Sequence, residues 1–208
     1  MGFMALSCST AEQPAPATEQ GNPVIETIMS RRSIRAYKDQ AVPRELLDQV
    51  VECGIWAPNA MNSQMWEVRV VTSQEWINGA TEAVKKNAEA GSPAAKQFED
   101  PSFKNIFRNA PAVIVIGHKV TNQPGSFTQV DCGLMAENMM LAAKSLGLGT
   151  VPMASPVGTF LATPVGAPFL AQLGFSEGYE PLLCIGIGYP DEEPAAKPRN
   201  KEVIKYIE

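Results

Sequence analysis

Apolar positions recur along the chain with two different periods. In VPRELLDQVVECGIWAP (42–58), Leu46, Leu47, Val50, Val51 and Ile55 share one helical face, Pro43 suits the first turn and Glu45 complements the helix dipole. Pro58 then stops the helix. Upstream, VIETIMSRR (24–32) reads as a shorter helix that closes at a run of arginines. WEVRVVT (66–72) alternates and is rich in β-branched residues, which predicts a strand. Residues 74–90 read as a solvated helix that Gly91, Ser92 and Pro93 break.

Further along, AVIVIGH (112–118) is a continuous apolar run and predicts a buried strand. The strongest helix signal covers 129–149. Asp131 lies near its start, Leu134, Asn138, Leu141, Ala142 and Ser145 fall at helical spacing, and Gly147 is the stop. Its Met-rich face reads as core. GTVPMASP (149–156) predicts a strand and turn, VGAPFLAQLGF (165–175) a short helix, and PLLCIGIGYP (181–190) a central strand before an extended tail. Helices and strands interleave without strict βαβ alternation, which favours an α+β fold with a mixed sheet. No internal repeat is visible. Residues 1–22 read as a flexible leader and 23–208 as one domain.

Composition narrows the partners. The 208 residues are 45% hydrophobic, enough for a sizeable core or for a subunit of an obligate oligomer. A net charge of −5 argues against nucleic acid as the main partner. Cysteines at 8, 53, 132 and 184 form no C-x-x-C pair and no zinc spacing, so no metal site is expected. Cys53 and Cys184 sit in apolar runs and read as buried small hydrophobes. The single histidine, His118, reads as a satisfied strand-end residue, and a lone histidine weakens any triad or metal scheme. The start, MGFMALSCST, resembles the tail of a bacterial lipoprotein signal, with Cys8 as the lipidated residue. It lacks a basic n-region, so a cytoplasmic location and a lipid-anchored one both stay open.

Against this acidic background, three of the chain's seven arginines fall within five positions, in RRSIRAY (31–37). Forked guanidinium donors and a serine hydroxyl suit a small, local anion such as phosphate. Taken alone, such a run is more often a solvated turn. APNAMNSQMWEV (57–68) adds Pro58, Asn59, Asn62, Ser63 and Gln64 between a helix and a strand, a composition that offers amide donors and acceptors to a heterocycle. Lys197 and Arg199, two residues apart near the C-terminus, either join an anion site or keep the tail soluble.

In order and spacing, R-R-S-I-R, P-N-A-M-N-S-Q-x-W and the late K-x-R resemble the FMN-dependent nitroreductase family, as do DCGLMAENMMLAAKSLGLGT and PLLCIGIGYP. The resemblance covers about residues 24 to 200. It implies a mainly antiparallel sheet flanked by helices in an intertwined homodimer. It also implies that Arg31 and Ser33, with Arg32 adjacent and Lys197 and Arg199 nearby, hold the FMN phosphate. Arg35 would lie at flavin N1 and O2, stabilising charge there. Pro58, Asn59, Ala60, Asn62 and Gln64 would reach the flavin from the partner subunit, and Met153, Ala154 and Ser155 would form the turn at N5.

The implied activity is ping-pong hydride transfer from NAD(P)H through FMN to nitroaromatic, quinone or enone acceptors, with no catalytic nucleophile. A dehalogenase or oxygen-using relative of the same fold is the alternative enzyme, and a non-catalytic flavin or redox-storage protein is the alternative of another class. Two departures bear on substrate rather than cofactor. Met65 stands where relatives often have proline, and VPMASP lacks the aromatic that many relatives carry.

Overall fold

The computed structural model describes residues 21–122 and 127–208. Cys8 and the lipoprotein-like start lie outside them. Asn22 caps the first helix, α1 (Pro23–Ser30), by accepting hydrogen bonds from the Val24 and Ile25 amides, and Pro23 occupies its first turn. Helix α2 (Arg44–Ile55) follows, then a tight turn (Ala60–Asn62) and strand β1 (Trp66–Val71). Ser73 caps α3 (Gln74–Asn87) through the Trp76 amide. A short α4 (Pro93–Gln97) leads to β2 (Ala112–Lys119). Then come α5 (Thr128–Ser145), β3 (Gly149–Met153), a wide π-type turn (Val157–Leu161), α6 (Ala167–Leu173) and β4 (Tyr179–Gly188).

The strands form one sheet in the order β1-β2-β4-β3, with every pairing antiparallel. The parallel component is a single bridge, Ser33 to Thr150, which joins the arginine segment to the β3 edge. Both faces of the sheet are covered, which explains the unbroken apolar run in β2. Its Ile114 and Ile116 pack with α2 and α5, while Val113 and Val115 pack with α3 and the Phe160 turn.

The outcome for α2 differs from the periodicity in one place. Leu47, Val50 and Gly54 are buried, whereas Ile55 is exposed. A Cβ on Gly54 would come within 2.4 Å of Met139, so glycine lets α2 approach α5 closely and turns Ile55 away. Cys53 consequently lies on the outer side and is exposed, not buried, while Cys132 and Cys184 are buried. The Met-rich face of α5, with Met135 and Met139, is core, as its composition implied. Leu134 on the same helix is exposed.

His118 is buried, and its Nδ1 lies 3.1 Å from the Thr128 hydroxyl, a satisfied pair at the end of β2. Gly147 ends α5 with a positive φ of 77°. Among the described residues no helix is long and apolar enough to cross a membrane, and no group of side chains is arranged to hold a metal ion.

Candidate active site

The segment RRSIRAY touches the sheet through two isolated bridges, Ser33 to Thr150 and Tyr37 to Pro190. Ile34 and Tyr37 are buried, and Arg35 is exposed. The Ile34 amide donates to the Thr150 carbonyl at 2.9 Å, and the Tyr37 hydroxyl donates to the Ile34 carbonyl at 2.7 Å. Burial is the main reason the Tyr37 phenol is pushed above its usual range, and it stays neutral. Gly149 permits this seam, because a Cβ there would lie 2.7 Å from the Ile34 side chain. Glu192, just beyond β4, closes over the segment by accepting from the backbone amides of Arg35 and Ala36.

Two clefts flank the seam. The first, of about 370 Å³, is lined by Arg31, Arg32, Lys144, Thr150, Glu192 and Glu193, among others. Here Arg31 pairs with Glu137 of α5 at 3.2 Å. Arg32 turns its guanidinium onto the carbonyls of Met29 and Arg31, at 2.7 and 2.8 Å. The second cleft, of about 680 Å³, holds Arg35, Arg108, Asn109 and Ser155 against Ile106 and Phe160. Segment 74–105, in which the sequence shows no lid signature, supplies one wall of it through Val84, Gln97 and Phe103.

Of the turn 153–155, Met153 points into the core, while Ala154 and Ser155 are exposed. The loop 58–64 lies apart and lines neither cleft. Met61, Asn62 and Gln64 adopt positive φ angles of 54°, 52° and 48°. The loop is pinned by the Asn59 side chain, which accepts from the Gln64 amide at 2.9 Å, and by buried Asp131, which accepts from the Ala60 amide at 3.2 Å. Pro58 and Asn62 of this tethered loop are exposed. Lys197 and Arg199 are exposed on the extended tail, and neither lines the first cleft, whose tail residues end at Pro194.

Lys144, Thr150, Arg108, Asn109 and Glu192 line these clefts without having been singled out by sequence. Lys144 reads as an ordinary last-turn cation of α5, and Glu192 as part of an acidic run. Only Asn109 leaves a trace, since a lone asparagine ahead of Ala-Pro favours a left-handed turn. Burial pushes the Cys132 and Cys184 thiols up to about 12, so neither is a thiolate nucleophile at neutral pH.

A cationic segment thus lies beside the β3 edge of the sheet, between two clefts. The comparisons name the class. The model of the Nitroreductase family matches residues 28–189, and the chain belongs to that family. It is 32% identical over 193 residues to an FMN reductase [NAD(P)H] of Bacillus subtilis, covering 86% of this chain and 70% of the relative. It superposes on a nitroreductase with bound FMN from Desulfitobacterium hafniense with a TM-score of 0.77 and 29% identity, over 91% of this chain and 100% of the other. An iodotyrosine deiodinase of Thermotoga neapolitana is 22% identical over 185 residues, covering 85% of this chain and 93% of that protein. The family resemblance and the α+β fold implied by sequence are both borne out.

Proposed function

We propose that the chain binds FMN and passes hydride from NAD(P)H to nitroaromatic, quinone or enone acceptors in a ping-pong cycle, as a homodimer. The observation that carries this is the seam itself: Arg31, Ser33 and Arg35 follow one another on a segment bridged to Thr150. That order spaces an anion-binding end and a second cation along one elongated ligand. The donor set fits the cofactor. Arg31 and Ser33 are half-buried beside the first cleft and suit the phosphate, with Arg32, Lys197 and Arg199 as outer cations.

FMN, when bound, supplies the hydride relay between donor and acceptor. Arg35 offers a guanidinium to the pyrimidine edge, where negative charge develops on reduction. The amides of the 153–155 turn, with Ala154 and Ser155 at its surface, are assigned to the opposite edge of the ring. Pro58, Asn59, Ala60, Asn62 and Gln64 serve the site of the other subunit. No side chain acts as a nucleophile, in keeping with the neutral thiols. A nicotinamide donor is supplied in the cytoplasm, which favours that compartment.

The dimer reading has its own support. Val24, Ile25, Ile28 and Met29 of α1 and Leu134 of α5 are exposed apolar side chains, as are Val203, Ile204 and Ile207 of the tail. A second copy covers such surface economically.

The deciding experiment is optical. Purified protein loaded with FMN is expected to be yellow, to bleach with NAD(P)H without oxygen, and to regain colour on adding a nitroaromatic or a quinone. A colourless protein that refuses FMN would falsify this reading. The deiodinase relative supports a second one, reductive dehalogenation, and release of iodide from an aryl iodide by the reduced enzyme separates the two.

A further inference from the structure

The second cleft carries more positive charge than its structure needs. Its charged lining consists of Arg35, Arg108 and Asp100. Asp100 is engaged locally, its carboxylate accepting from the Ser102 amide at 2.8 Å and the Ser102 hydroxyl at 2.7 Å, which holds its carboxyl below the usual carboxylate range. Among the described residues the Arg35 guanidinium donates only to the Ser33 carbonyl, at 3.3 Å. Arg108 has neither an ion pair nor a side-chain hydrogen bond among the described residues.

Arg108 is also held in place at a cost. It and Asn109 both have positive φ, 56° and 65°, a conformation that strains a residue with a Cβ. The Asn109 side chain fixes it, accepting from the Lys104 amide at 2.8 Å and donating to the carbonyls of Ser102 and Arg35. Buried Asn105 ties the turn from below through the Ala110 carbonyl. The same asparagine therefore links the Arg108 turn to the Arg35 backbone. Half-buried Phe103 and Ile106 offer an apolar wall, and exposed Ser155 adds a hydroxyl. A volume of about 680 Å³ suits a ring-sized molecule.

We infer that this cleft selects acceptors in which a reducible ring carries an anionic substituent such as a carboxylate, with Arg108 as the specificity-determining cation and Phe103 and Ile106 as the wall for the ring. This rests on the FMN reading, because Arg35 and Ser155 are what tie the cleft to the cofactor. A guanidinium meets a carboxylate with two parallel donors, and the neighbouring apolar wall keeps water from competing.

The test compares para-nitrobenzoate with para-nitrobenzamide, a neutral analogue of similar shape, on FMN-loaded enzyme. Wild type is expected to favour the carboxylate in kcat/KM. Arg108→Gln should lower the carboxylate-to-amide ratio about tenfold, and Arg108→Lys should restore part of it. Calorimetric titration of the oxidised protein with benzoate and benzamide should show the same loss of preference without turnover. If loaded Arg108→Gln keeps the wild-type ratio, the proposal fails while the cofactor reading stands. If the variant instead changes only the NADPH-to-NADH ratio of flavin reduction, the cation serves the donor's phosphate and the acceptor proposal is overturned. If wild type itself takes up no FMN, both readings fall together.

Discussion

The two clefts beside the arginine seam use the same residue type to opposite ends. In the first, Arg31, Arg32 and Lys144 face Glu137, Glu192 and Glu193, and the cations are largely spoken for by carboxylates or carbonyls. In the second, Arg35 and Arg108 face one carboxylate that Ser102 already occupies. The first cleft is partly pre-organised, since Arg31 and Arg32 have resting partners that fix their positions before a ligand arrives. An unbalanced one holds its affinity for an incoming anion. On the proposed reading, the first arrangement suits the cofactor's phosphate, and the second suits the flavin ring and an exchanging substrate beside it.

The largest effect that would break this division comes from Arg35→Ala. It should slow reduction by NAD(P)H by about a hundredfold, the scale of losing one well-placed charge-stabilising donor, and loosen FMN much less. Stopped-flow absorbance measures the first and fluorescence titration the second. Arg31→Ala should do the reverse, raising the FMN dissociation constant about tenfold with a smaller change in the reduction rate. Equal effects in both variants would refute the division. Third in size is Tyr37→Phe, which removes the hydroxyl that braces the seam. It should cost about 1 kcal/mol of stability in denaturant unfolding, and it should disturb both clefts together because both hang on Ile34.

The smallest effect is a control away from both clefts. Glu67 accepts from the Ser176 amide and pairs with Arg69, and hydrogen bonding to Ser176 is the leading cause that lowers its carboxyl from 4.5. A lowered folded-state value means the contribution is present above 4.5 and fades as pH falls through the folded value. Glu67→Gln should therefore flatten the acid side of a melting-temperature profile and leave flavin binding alone. A change in cofactor affinity would show that the clefts are coupled to the far edge of the sheet.

The elements were legible wherever burial follows a regular period. The β2 run, the α5 methionine face and the stop at Gly147 could all be read because each leaves a local pattern: an unbroken apolar run for a strand covered on both faces, a cluster of methionines for a buried helix face, and a glycine for a left-handed turn. Ile55 was misplaced because the deciding contact, Gly54 against Met139, joins residues far apart in the chain. The exposure of Cys53 follows from the same contact. At the site, RRSIRAY stood out because three cations adjoin one another. Arg108 and Lys144 did not, since a single cation in a polar stretch has no pattern, and only folding brings each beside the seam. The loop 58–64 was visible by composition, and its anchor on Asp131 was not, because the contact spans the distance to α5.

The bridge between Ser33 and Thr150 has a consequence for the chain's behaviour in a crowded solution. β3 is the last strand of the sheet, and an open outer strand is a template for pairing with foreign chains. Here Pro152 withholds one amide, and the Ile34 amide already occupies the Thr150 carbonyl. The contact beside the arginines thus also occupies part of a sheet margin that foreign chains could otherwise pair with.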